Sequence, residues 1–196
     1  MLTNKRVTSF LSAAQHGDIE GLRRYLDPDE GTKGNVNATN SSGETALIQA
    51  AKNNRNEAVE FLLNQEGVEV DIAANNKFAA IHYAVHQGYF EIAEQLVAKD
   101  QSIVHSKSER NWEPLHFAVF GGYFQIAKFL ISKGADVNAV AINDGGEELR
   151  MSDLTDDSEI IDLINSQMSS SPLSLSRVSS AEQLVGMGRL VGEGRK

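Results

Sequence analysis

The chain has no cysteine. Its absence excludes disulfides, cysteine nucleophiles and thiolate metal sites, and suits a reducing compartment, cytoplasmic or nuclear. Long apolar runs are missing too. None reaches the roughly 20 residues that span a bilayer, so no membrane partner is expected. Met1-Leu2-Thr3-Asn4-Lys5-Arg6 is followed by no apolar stretch of the secretory type. The signatures of catalysis are lacking as well: no Gly-rich phosphate loop, no Gly-x-Ser-x-Gly elbow, no HExxH helix. His82 and His86 stand four apart without a third ligand in suitable spacing. The acidic run Asp153–Glu159 lacks the calcium-loop pattern, and reads as negative charge set before the apolar helix Glu159–Ile164. The expectation is no enzyme activity, no metal and no cofactor. Basic charge is short, with 18 Lys and Arg against 27 Asp and Glu. The net charge of −9 repels phosphate backbones and argues against nucleic-acid binding.

What the chain does have is a repeat. Thr45-Ala46-Leu47-Ile48, Ala79-Ala80-Ile81-His82, Glu113-Pro114-Leu115-His116 and a worn Glu147-Glu148-Leu149-Arg150 follow at intervals of 34 residues. Each opens an apolar helical stretch. Gly17, Asn54, Gly88 and Gly122 then hold equivalent turn positions, where a left-handed backbone favours Gly or Asn; Asp156 stands there in the last copy. A second helical stretch follows, as in Ile92, Ala93, Leu96 and Val97 or Ile126, Ala127, Leu130 and Ile131. A polar, turn-forming segment, clearest at Gly134-Ala135-Asp136-Val137-Asn138-Ala139, leads to the next copy. Units of this kind stack, each burying its neighbour's apolar face.

Glu113–Ala139 resembles the ankyrin repeat, with Pro-Leu-His, then Gly122, then the Gly-Ala-Asp-Val-Asn-Ala run. The likeness extends over residues 6–167. It implies an all-α fold, a solenoid of about five helix-turn-helix repeats joined by short hairpins. The repeats fall near 8–43, 44–78, 79–112 and 113–146, with a cap at 147–167. The insertion Asp27–Gly34 falls in a loop. Residues 168–196 are Ser/Gly-rich and read as a flexible tail of net charge +2, leaving −11 for the remainder. Ser180-Ala181-Glu182-Gln183 is a candidate capping box within that tail.

The resemblance also implies function: recognition of a protein or peptide on the concave groove, by a chain monomeric on its own. Groove positions lie at the hairpin tips and after the small-residue pair of each first helix. They give Lys52, Asn76, Phe78, His86, Glu109, Arg110, Trp112 and Phe120 as candidate partner-binding residues. Phe78, Trp112 and Phe120 are expected to receive an apolar side chain between them, with Arg110 gripping an acidic group. His82 and His116 hold one repeat position, and the resemblance makes them structural. Ser171 and Ser179 are candidate phosphorylation sites, and Asn138 resembles hydroxylated ankyrin asparagines. Trp112–Ile131 is also similar to repeats of myosin-phosphatase targeting subunits. An alternative is therefore a regulatory or targeting subunit of a phosphatase, although Val7-Thr8-Ser9-Phe10 has one residue more than the docking motif of that family. A pathogen ankyrin effector is a further alternative.

Overall fold

The computed structural model describes residues 2–27 and 34–170. Ser171, Ser179 and the 180–183 segment lie outside the described residues. The helices come in pairs. α1 (Leu2–His16) is followed by α2 (Ile19–Leu26), and α3 (Ala46–Lys52) by α4 (Asn56–Leu63). α5 (Ala80–His86) precedes α6 (Phe90–Lys99), and α7 (Pro114–Phe120) precedes α8 (Phe124–Ser132). α9 spans Ser158–Ser170, three residues beyond the expected end of the cap. First helices pack in one row, α1–α3–α5–α7, and second helices in another, α2–α4–α6–α8.

The turn between the helices of each pair repeats in atomic detail. Gly17, Asn54, Gly88 and Gly122 have φ of 77°, 54°, 75° and 70°. The residue after each donates its N–H five residues back: Asp18 to Ala13, Arg55 to Ala50, Tyr89 to Ala84 and Tyr123 to Ala118, all at 2.8–2.9 Å. This is the closure that a left-handed residue permits at a helix end. Alanine at the receiving position lets adjacent first helices approach closely; Ala50, Ala84 and Ala118 are fully buried. One continuous core runs from Phe10 through Ile48, Ile81, Leu115 and Leu130 to Ile160 and Ile164.

Two segments depart from the sequence reading. After α6 there is no glycine to match Gly134 (φ 94°), and the chain continues into a 3-10 turn, Gln101–His105, instead of a polar loop. Asp100 caps that turn through Ser102 N–H at 2.9 Å, while Ile103 and Val104 enter the core. The last repeat corrects the assigned register. Asn143 and Glu147 reproduce the pairing of Asn40 with Glu44: each Asn side chain donates to the Glu carboxylate at 2.9 Å and accepts its N–H. Glu147 therefore matches Glu44, one residue off the 34-residue interval that aligned it with Thr45. The hairpin then lengthens into β1 (Ala141–Ile142) and β2 (Glu148–Leu149), paired antiparallel. The first helix shrinks to one 3-10 turn, Met151–Asp153. Asp153 accepts the Arg150 N–H at 2.9 Å and closes that turn.

Candidate functional site

The hairpins and the exposed side of the first helices share one face. His82 and His116 set the shape of each hairpin from below. His82 Nδ1 accepts the Ala79 N–H at 3.1 Å, and His116 Nδ1 accepts the Glu113 N–H at 3.0 Å. The proton therefore sits on Nε2, which donates to Ser106 O (3.1 Å) and Ala139 O (3.2 Å). Both rings are buried with both nitrogens used, so the structural reading holds and no lone pair is left on His82 for a metal. Burial lowers each to about 4, against backbone hydrogen bonds that raise it. Among the described residues no group of three metal-ligating side chains occurs.

Trp112 follows a 3-10 turn, Glu109–Asn111, in which Arg110 and Asn111 both have φ of 60°. Two successive left-handed residues without glycine are costly. The turn is fixed by Ser108, whose N–H and hydroxyl donate to Trp112 O at 2.9 and 3.1 Å. This geometry lays the indole against α7. There it meets Phe117 at 5.0 Å and, edge-on, Phe120 at 5.8 Å. Phe117 in turn meets Phe78 at 5.3 Å and His86 at 5.7 Å.

The predicted three-ring cradle is thus corrected. Phe117, absent from the predicted set and only 8% exposed, fills the space between Phe78 and Trp112. The product is a continuous chain of rings, Phe78–Phe117–Trp112–Phe120, across two repeats. Phe120 ends it at 63% exposure, the exposed large hydrophobic among the described residues. A signal for Phe117 was available: it lies three residues before Phe120 on one helix, hence on the same side.

Arg110 has a neighbour the sequence did not reveal. Its guanidinium pairs with Asp144 on the next hairpin, so it stands beside a carboxylate of this chain while both side chains stay exposed. Beneath that pair lies a cleft of about 380 Å³ lined by Trp112, Ile142 and Leu149. Lys52 donates to Glu44 at 3.1 Å and stands 5.2 Å from the centre of the Tyr83 ring. Burial would raise the Glu44 carboxyl, yet bonds from Asn40, Lys52 and Gln49 hold it below the usual range. Asn76 is spent on its own hairpin, donating to Tyr83 Oη at 3.0 Å and accepting from Phe78 N–H at 3.1 Å. Glu109 and His86 are exposed. Asn138 is exposed in a turn, its backbone N–H donated to Asp136 at 2.8 Å. The Val7–Phe10 segment lies inside α1, with Phe10 buried and stacked on Tyr25 at 4.1 Å.

Comparison with known proteins matches residues 10–107 to the pattern described as ankyrin repeats (3 copies), and residues 110–142 to a single ankyrin repeat. The chain is 36% identical to the human NAD-capped RNA hydrolase NUDT12 over 95 residues, 48% of this chain and 20% of that protein. It is 39% identical over 88 residues to a transient-receptor-potential-like protein of Caenorhabditis elegans, covering 45% of this chain and 8% of the other. It is 39% identical over 80 residues to the putative ankyrin repeat protein L92 of Acanthamoeba polyphaga mimivirus, covering 39% and 19%. The chain therefore spans a fifth or less of the length of these relatives. No described helix is long and apolar enough to cross a membrane.

Proposed function

We propose, from the premise that the chain belongs to the ankyrin-repeat family, that it is a non-catalytic adaptor binding a protein or peptide on the face of hairpins and first helices. The observation that carries this reading is Phe120. A phenyl ring 63% exposed, at the end of a packed chain of rings, gains stability when a partner covers it. The rings behind it are already held, so little ordering cost accompanies binding. The Arg110–Asp144 pair borders the same place and offers one charge of each sign to a polar rim. A cysteine-free chain suits the cytoplasm or nucleus. The phosphatase-targeting alternative gains nothing from Val7–Phe10, because Val7 and Phe10 are helical and Phe10 is core.

The test uses the full chain to isolate a partner, then measures its affinity for wild type and Phe120→Ala. Binding should weaken at least about tenfold, or about 1.4 kcal/mol. Melting should be unchanged, since an exposed helix position accepts Ala readily. Equal affinity with an intact fold rejects this face as the binding surface.

A further inference from the structure

At the opposite end of the stack from α9, α1 and α2 touch closely at Gly21, where a Cβ would stand 2.9 Å from the Ala13 Cβ. Beside that contact is an open cavity of about 920 Å³. Its walls carry Lys5, Arg6 and Arg24, the hydroxyls of Ser9 and Ser12, and the Phe10–Tyr25 ring stack. Arg6 lies over the Tyr25 ring at 5.7 Å. Among the described residues, none of these three cations has a carboxylate in ion-pair range. Arg23, beside Arg24 in sequence, contrasts with them: it pairs with Glu20 at 3.7 Å. The carboxylate on the cavity wall, Asp18, accepts the Gly21 N–H at 3.0 Å as the cap of α2. His16 shares the wall, its Nδ1 bonded to Ser12 O at 2.8 Å.

Charge makes the cavity unusual. Residues 2–26 carry a net +2, and residues 34–170 carry −11. Three cations that no described carboxylate neutralises, gathered in so acidic a molecule, favour an external anion. Two guanidiniums offer forked donors that match phosphate oxygens, and a phosphomonoester carries up to two charges near neutral pH. The half-buried Tyr25 ring, backed by the buried Phe10 ring, offers an apolar surface to the body that bears the phosphate. An anionic lipid surface or a nucleic acid would meet the −11 remainder and be repelled; a single phosphate group entering the cavity would not.

We propose that this cavity binds an aryl phosphomonoester, carried on a partner protein as phosphotyrosine. Only the carrier rests on the adaptor reading; the cavity is tested without it. Phenyl phosphate titrated into the full chain should shift the amides of residues 5–13 and 21–25 saturably, with a Kd of about 1 mM. Benzoate, with one charge, should bind at least about fivefold more weakly. Arg24→Gln and Lys5→Gln, both at exposed side chains, should each weaken phenyl phosphate severalfold while the circular dichroism spectrum stays unchanged. Phe120→Ala should lose the protein partner and keep phenyl phosphate, so failure at one site is separable from failure at the other. No saturation by about 20 mM overturns the proposal. So does equal affinity for benzoate, or indifference to both substitutions. Binding to phosphoinositide vesicles without binding phenyl phosphate overturns it in favour of a lipid surface.

Discussion

Glu113 shows how one residue can be out of keeping with its place. Its counterpart Thr45 caps α3, the hydroxyl accepting Ile48 N–H at 3.2 Å. Glu113 makes no such cap bond, is 6% exposed, and leaves Oε2 buried without a partner. Burial raises its carboxyl, and Lys107, 3.7 Å from Oε1, only partly offsets that. A raised carboxyl pKa means that ionisation opposes folding once pH exceeds the ordinary carboxylate range. Glu113→Thr should restore the cap and remove the orphan oxygen. We expect about 1 kcal/mol of added stability at neutral pH in urea denaturation. A loss of stability would mean that the Lys107 pair outweighs the missing cap.

Within the elements, the strongest dependence is on the second helices, whose apolar side chains hold adjacent pairs together. Leu130 is fully buried in α8, between α6 and α9. Leu130→Ala should cost about 2–5 kcal/mol, the range for a core Leu that leaves a cavity. Hydrogen exchange should show protection lost first in α7, α8 and α9. Uniform loss along the chain would instead mean that the stack unfolds as a single unit. The helix pairs, their turns and their core positions were legible in the sequence, because each follows from local pattern: Gly or Asn for the left-handed turn, alanine where helices touch, aliphatic residues every three or four positions. The binding face was legible only in part. Phe120 and Trp112 stand where spacing put them. The Arg110–Asp144 pair and the Phe78–Phe117 contact join residues from successive repeats, and depend on how repeats stack. The slipped register at Glu147 had the same origin, since a stretched hairpin looks like a worn helix until its pairing is seen.

Across the molecule, His82 and His116 tie each repeat to the loop that follows it, through Ser106 O and Ala139 O. Both titrate at about 4 in the folded chain against 6.5 unfolded. The unfolded chain thus binds protons first as pH falls. Stability should be full above pH 6.5 and decline below it, by at most roughly 1 kcal/mol per pH unit for each histidine until about pH 4. The midpoint of urea unfolding at pH 7.5, 6 and 5 measures this. His116→Gln should reduce the slope between pH 6.5 and 5; an unaltered slope would assign the pH dependence to other groups.

Each described helix packs mainly on its partner in the pair and on its neighbours in the row. Such an arrangement behaves like a leaf spring. A small rotation at each interface adds to the next, so the span from the cation-lined cavity at α1 to Phe120 on α7 can lengthen or shorten without breaking any single contact. A ligand engaging both ends would therefore be read by its length as well as its chemistry, and the stack would act as an elastic ruler.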